Sequence, residues 1–207
     1  MRQIRIFTLL FCIFLVLASC GKTTKQKEPT TTVEGMTFTV NRQLLKDSLN
    51  IIDEKMIVSI PKSWKPLPDS LKSSLTSKVE TFNTRNDSSA IQLNIHSVYV
   101  QPDNKASLVI SRLSFPKNDS TESLQRKHYT KQMKTGIDST SLGIAEFSKD
   151  GIFITQYMIR TQQSVSFKLL FKAHKSMMQC DYIIPTNVFQ QEIRAVESSI
   201  GSIFISQ

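Results

Sequence analysis

The 207-residue sequence has few of the residue types that build catalytic and cofactor sites. It contains three cysteines, six glycines and one tryptophan, and its three histidines, His96, His128 and His174, are far apart. No His, Cys or carboxylate pair has the spacing of a metal site, and neither a phosphate-binding glycine loop nor a G-x-S-x-G turn is present. The sequence therefore predicts no metal, no cofactor and no catalytic residue.

The sequence also lacks an apolar run long enough to span a membrane. Residues 6–18 are almost entirely apolar, but a membrane-spanning helix needs about 20 such residues. The hydrophobic region of a secretory signal needs only about 7 to 15. Because Arg2 and Arg5 supply the usual basic start, residues 1–19 are predicted to be a signal peptide.

Small residues and a cysteine follow the apolar run. The segment Leu17, Ala18, Ser19 and Cys20 resembles the lipobox of bacterial lipoproteins. This resemblance implies cleavage between Ser19 and Cys20, attachment of diacylglycerol to the Cys20 thiol, and anchoring to a bacterial membrane. The alternatives are an uncleaved anchor and an ordinary signal peptide with an accidental cysteine.

The cysteine leads into a polar segment, residues 20–35, that is rich in threonine and lysine. Such a composition buries too little apolar surface to offset the entropy of ordering, so the segment is predicted to be a flexible tether. Lipoproteins exported to the cell surface of some Gram-negative bacteria carry an acidic run here. Lys22, Lys25 and Lys27 make it basic, which favours a periplasm-facing position on either the inner or the outer membrane.

Residues 36–207 are predicted to form one domain. Cys180 is its lone cysteine, which leaves no partner for an intrachain disulfide. Cys180 lies in the alternating stretch MMQCDYII and is predicted to be a core thiol rather than a nucleophile. Of the 26 Lys and Arg and 17 Asp and Glu of the whole chain, 21 and 15 lie in this domain, and the resulting net charge of +6 favours acidic partners. Nucleic acid is not predicted as a partner, because the cations are dispersed and an exported protein rarely meets it.

Alternating apolar residues predict a mainly antiparallel sheet. SVSFKLLFKAH is the clearest strand, GIFITQYMIR pairs with it as a hairpin, and KSMMQCDYIIP continues the meander. Asp150 and Gly151 are predicted to form a hairpin turn. Further strands are predicted for AIQLNIHSVYV, MTFTV, KMIVSIP, SLVISRLSF, LGIAEFS and SIFIS.

Three segments instead show helical spacing, which gives an α+β class with helices flanking the sheet. PDSLKSSLTSKVETF has Asp69 or Ser70 as the expected cap, and PTNVFQQEIRAVESSIG has Thr186 or Asn187. In the middle helix, DSTESLQRKHYTKQMKTG, Gly136 is the expected end. Apolar positions are Leu71, Leu75, Val79 and Phe82 in the first helix, Tyr129 and Met133 in the second, and Phe189, Ile193, Val196 and Ile200 in the third.

Two separated segments resemble the PsbP-like superfamily. KMIVSIPKSWKPL places Pro61 and Trp64 directly after a strand, and CDYIIP leads into a helix and the short strand SIFIS. This pattern is similar to that of the photosystem protein PsbP, the Ran-binding Mog protein and DcrB-type lipoproteins. The resemblance implies a PsbP-like sandwich, with an antiparallel sheet and helices on both faces. It also implies a partner-binding or complex-stabilising role without shared catalytic residues.

The leading hypothesis is a lipid-anchored, non-enzymatic, periplasm-facing module that binds or stabilises a protein partner or membrane complex. Its candidate contact residues are Trp64 and the lysines of the middle helix, Lys127, Lys131 and Lys134. Core packing is the alternative for Trp64, and a solvated helix face is the alternative for the lysines. An immunity lipoprotein that neutralises a toxin is a narrower version. A small-ligand carrier or an enzyme, with a cleft built from residues distant in sequence, is the second class.

Overall fold

The computed structural model describes residues 38–85 and 91–206. Within them the chain forms ten β-strands, three α-helices and three short 3-10 turns. The strands are β1 Leu45–Ile51, β2 Met56–Pro61, β3 Lys65–Pro66, β4 Gln92–Val100, β5 Ser107–Ser114, β6 Leu142–Lys149, β7 Ile152–Arg160, β8 Ser164–Lys172, β9 Met177–Pro185 and β10 Phe204–Ile205. The helices are α1 Asp69–Arg85, α2 Glu122–Gly136 and α3 Phe189–Gly201.

Seven strands form one antiparallel sheet in the order β3-β4-β5-β9-β8-β7-β6. The strands β6 to β9 are the predicted meander. Asp150 and Gly151 connect β6 to β7 with φ angles of 50° and 80°, as a two-residue hairpin loop requires, so the predicted turn is confirmed. The remaining strands form a second sheet in the order β1-β2-β10.

One face of the large sheet, which we call the closed face, packs against the small sheet and α3. Sheet residues such as Ile110, Leu169 and Tyr182 meet Val58 from β2 and Val196 from α3 in one continuous apolar core. Each of these five residues is fully buried. The alternation of apolar residues that predicted β5, β8 and β9 places their apolar side chains here.

The opposite face, the α2 face, carries a smaller apolar cluster. Leu113, Leu170 and Met177 from the sheet pack against Tyr129 of α2 and against Tyr157. The predicted apolar stripe of this helix, Tyr129 with Met133, is therefore confirmed as its packing side. The α+β class, with a mainly antiparallel sheet flanked by helices, is confirmed as well.

Several local predictions are wrong. MTFTV is not a strand over residues 38–40, and its first two residues lie outside the described part of the chain. Conversely, β1 was not predicted, because the polar residues of LKDSLNI interrupt the apolar alternation. Leu71 lies on the first turn of α1, remains 56% exposed and is not a core residue.

The helices α1 and α3 form as predicted, but their predicted capping residues are wrong. Asp69 and Ser70 lie inside the first turn of α1, whose amides at Leu71 and Lys72 instead bond to the carbonyl of Pro68. For α3, Thr186 and Asn187 belong to a 3-10 turn, and no side chain in the described part of the chain caps the helix by a hydrogen bond. Among the helices that the structure describes, none has the length and apolarity that crossing a bilayer requires.

Candidate protein-binding site

The predicted lipidation site lies outside the described residues. Ser19, Cys20 and the tether up to residue 35 all precede residue 38, the first described residue. The signal peptide, the lipid on Cys20 and the tether therefore stay predictions. The candidate residues that the structure does place are Trp64 and the three lysines of α2.

Trp64 is part of the core and is not available to a partner. Its side chain is fully buried, and its ring centroid lies 6.4 Å from that of Tyr182. The indole Nε1–H donates a 2.9 Å hydrogen bond to Oε2 of Glu192 on α3, whose other oxygen accepts from Asn104. A buried indole needs such an acceptor. The binding hypothesis for Trp64 is therefore wrong, and its packing alternative is supported.

The residues with catalytic potential do not converge. Cys180 is fully buried, and burial raises the pKa of its thiol, so it is an unreactive core thiol. His174 is exposed, whereas His96 is half-buried beside Ser97. His128 contacts the carboxylate of Asp119. Within the described residues no group of three or more His, Cys, Asp or Glu side chains could hold a metal ion.

The three lysines of α2 line a groove of about 840 Å³ between the helix and the end of the sheet at β6 and β7. Lys127, Lys131 and Lys134 form one wall with Thr130. Glu146 of β6 and Phe153 of β7 lie across from them and supply the floor. We call this site the α2–β6 groove. It falls in the size range of ligand sites, about 300–1,000 Å³.

Arg126 fixes the helix wall to the floor of the groove. Its buried guanidinium donates to the carbonyls of Phe153 at 2.8 Å and Leu170 at 3.0 Å, and to Oγ1 of Thr155 at 3.0 Å. It also pairs with Glu122 at 2.6 Å and lies 4.5 Å from the centroid of the Phe153 ring. A buried cation is tolerated only when it is paired and hydrogen-bonded in this way.

One turn further along, Thr130 makes the next contact between helix and sheet. Its Oγ1 lies 2.7 Å from the hydroxyl of Tyr157. Burial raises the pKa of Tyr157 and also that of Tyr129, where the nearby Asp181 carboxylate adds to the effect. Both phenols therefore stay neutral, and they contribute hydrogen bonds rather than charge to this face.

The groove carries uncompensated positive charge. Lys127, Lys131 and Lys134 are exposed, and no ion pair or hydrogen bond involves their ammonium groups among residues 38–85 and 91–206. Of the two carboxylates at the groove, Glu122 already pairs with Arg126, which leaves Glu146. The long lysine stems can lie along the groove and present their charges at its mouth.

Sequence reasoning identified the lysines of this site but missed Arg126, Thr130, Glu146 and Phe153. Arg126 stands three residues before Tyr129 and so extends the buried stripe by one turn. A cation at an apolar position of a helix is a signal for a buried ion pair that could have been noticed. No comparable signal marks Glu146 or Phe153, because their place at the groove depends on how α2 crosses the sheet.

Comparison with known proteins gives similarity to solved structures. No protein-family model matches the chain, and no curated protein matches it. Among solved structures, the chain is similar to the solution structure of cyanobacterial PsbP (CyanoP) from Synechocystis sp. PCC 6803, with a TM-score of 0.49 and 12% sequence identity. The match covers 83% of this chain and 98% of that chain.

Proposed function

We propose that this protein is a lipid-anchored, non-enzymatic module that binds an acidic protein partner through the α2–β6 groove, on the periplasmic side of a bacterial membrane. The observation that carries the proposal is the row formed by Lys127, Lys131 and Lys134, three exposed cations without ionic partners among the described residues. Charge complementarity of this kind speeds association and selects partners. The predicted lipid on Cys20 would keep the module at the membrane.

The contacts beneath the lysines also support a binding surface. Arg126 and Thr130 tie α2 to β7 through polar contacts with the sheet. The helix that carries the three lysines is therefore held in one orientation before a partner binds. A preorganised surface loses less entropy on binding than a mobile one. The groove thus combines a fixed frame with long charged side chains that can adjust at their ends.

Photo-crosslinking of the full-length protein in membranes of its own bacterium tests the binding site. A photoreactive amino acid replaces Ser123, which is exposed and lines the groove. We expect a discrete crosslinked product that disappears when Lys127, Lys131 and Lys134 are all changed to Glu. A second photoreactive position, Ser73, is exposed on α1 and should not give this product.

The matched control changes three exposed lysines elsewhere, Lys62, Lys65 and Lys78, to Glu. It alters net charge by the same amount but leaves the groove intact, so the crosslinked product should persist. If both triple variants lose the product equally, nonspecific charge attraction explains it. If the groove variant keeps the product, the partner binds elsewhere and the proposed site is wrong.

Membrane attachment has its own test. Metabolic labelling with radioactive palmitate should label the wild type but not the Cys20→Ser variant, and the variant should leave the membrane fraction. Unlabelled wild-type protein that stays in the membrane would contradict lipidation and favour an uncleaved anchor.

A further inference from the structure

Among the described residues, the strand β6 lies at a free edge of the large sheet, beside the α2–β6 groove. In the part of the chain that the structure describes, β7 is the only strand that pairs with β6. The other end of the sheet finishes in β3, a strand of two residues, whereas β6 has eight. A long edge strand presents a row of unpaired backbone N–H and C=O groups that another extended chain can bind.

The strand β6 carries two charged residues, Glu146 and the buried Lys149 at its end, and its side chains otherwise do little to block this edge. Ile144 is 38% exposed, and Ala145 and Glu146 are exposed as well. The strand contains no proline, which is one of the devices that protects natural sheet edges. Ile144 and Glu146 have side chains on the same face of the sheet as Tyr157 and Thr155, their partners in β7, and this is the face that α2 covers.

The helix α2 runs along β7 and β6 rather than across them. Arg126 contacts Phe153 and Thr155 near the start of β7, and Thr130 contacts Tyr157 two residues further along. Met133 packs into the same apolar cluster as Leu142 of β6, which pairs with Ile159 near the end of β7. The lysine row on the flank of α2 therefore runs parallel to the free edge.

The spacing of the lysines suits an added strand. At about 1.5 Å per helical residue, Lys127, Lys131 and Lys134 span about 10.5 Å along the axis of α2. Alternate side chains of a strand on one face are about 6.6 Å apart, so three of them span about 13 Å. Flexible lysine side chains can cover the small difference. Three alternate acidic residues of an extended segment could thus each meet one lysine.

We propose that the groove and the edge together bind an extended acidic segment of the partner, which adds to β6 as an eighth strand of the sheet. Its backbone would pair with β6, and its acidic side chains, at every second position, would face Lys127, Lys131 and Lys134, whose three charges outweigh the one carboxylate of Glu146 on that face. This inference rests on the proposed function, because it names how the partner occupies the same groove. Such strand addition gives affinity through main-chain hydrogen bonds and specificity through alternate side chains.

Charge selects this occupant over two others that the chain itself could supply. A second copy pairing β6 with β6 antiparallel would bring both α2 helices to the same face, with their lysine rows opposed. Like charges held opposite each other destabilise such a pairing. The predicted tether has three lysines against two glutamates, Glu28 and Glu34, so it brings no net negative charge to complement the groove.

The test uses full-length protein in detergent and an eight-residue peptide of alternating glutamate and valine with blocked ends. We expect saturable binding by calorimetry, with slower hydrogen exchange at the amides of β6. Changing all three groove lysines to Glu should weaken binding by about tenfold or more, because three charge contacts become repulsive. The Lys62, Lys65 and Lys78 triple variant should bind as the wild type does.

A peptide methylated at every backbone nitrogen separates strand addition from simple charge attraction, since it keeps the carboxylates but cannot donate backbone hydrogen bonds. We expect it to bind about tenfold more weakly or worse. Equal binding of the two peptides would overturn strand addition while leaving an acidic partner in place. Failure of the alternating peptide to bind would also overturn the inference. A dimer that forms through β6, detected by sedimentation, would overturn it as well. None of these three outcomes would change the crosslinking result, which tests the proposed function separately.

Discussion

The two faces of the seven-stranded sheet are covered in different ways. The closed face meets α3 and a second sheet in a continuous apolar core, with Trp64, Tyr182 and Val196 fully buried. The α2 face is covered by a helix whose buried contacts are partly polar, led by Arg126 and its hydrogen bonds to Phe153 and Leu170. The closed face is suited to stability, whereas the α2 face leaves a charged groove beside a free edge.

The largest expected effect is on the closed face. Trp64→Ala removes a fully buried indole and leaves Glu192 with one hydrogen-bond donor fewer, so we expect the free energy of unfolding to fall by about 3–5 kcal/mol. Urea denaturation followed by far-ultraviolet circular dichroism measures it, since Trp64 is the only tryptophan and fluorescence would be lost. Leu71→Ala, at an exposed position, should change stability by less than about 0.5 kcal/mol. Similar losses from both variants would contradict the closed core.

Arg126→Met is the corresponding change on the α2 face. It keeps the bulk of the side chain but leaves the carbonyls of Phe153 and Leu170 without this donor, and we expect a loss of about 2–3 kcal/mol by the same urea measurement. The neighbouring Lys127→Met, at an exposed position, is the matched control and should stay within about 0.5 kcal/mol of wild type. An unchanged stability for Arg126→Met would mean that Tyr129 and Met133 alone hold α2 in place.

Two glycines at helix ends give a pair of changes with opposite signs. A Cβ on Gly201 would lie 2.7 Å from Cβ of Phe38 and 3.0 Å from Cγ2 of Val40, so Gly201→Ala should lose about 1–2 kcal/mol through overpacking. A Cβ on Gly136, at the end of α2, meets no atom of the described residues within 4 Å. Gly136→Ala should therefore gain about 0.4–1 kcal/mol by restricting the unfolded chain. Thermal melting of both variants checks the signs, and a loss at Gly136 would show that the end of α2 is more tightly packed than this comparison states.

The smallest expected effect concerns His96, which lies outside both the groove and the closed core. Burial, helped by the positive charge of Arg112, lowers the pKa of His96 below its ordinary value of 6.5. Below that value the unfolded chain binds a proton more readily than the folded one, so this residue reduces stability as the pH falls from 7 towards 5. Urea midpoints at pH 7 and pH 5 should differ less for His96→Gln than for wild type. A larger difference in the variant would reverse the assigned direction.

The sequence predicts the core strands well because their signal is local. Val165, Phe167 and Leu169 alternate with polar residues in β8, and Asp150 with Gly151 supplies a turn that only certain residues adopt easily. The same local reasoning fails for β1, whose polar residues face solvent at the edge of the small sheet. It fails again for the caps of α1 and α3, where a backbone carbonyl and a 3-10 turn take the place of a side chain.

The candidate site also has features that follow from local sequence and features that do not. The helical periodicity of α2 separates Lys127 and Lys131 from Tyr129 and Met133, so their exposure follows from the sequence alone. That Trp64 is a core residue does not follow, because its hydrogen-bond partner Glu192 is 128 positions away in the chain. Burial here is decided by a contact that local sequence cannot encode.

By itself, therefore, the sequence determines the pattern within each element: which side of a strand or helix is apolar, where the hairpin turns, and where the cations of α2 lie. Only the tertiary structure decides that Arg126 ties α2 along β7, that β6 is the outermost strand among the described residues, and that α2 and β6 define a groove with an open edge. The physical reason is the separation in sequence of the residues that interact. Periodicity reflects residues a few positions apart, whereas the groove arises where a helix packs on a sheet beside an edge strand from a different part of the chain.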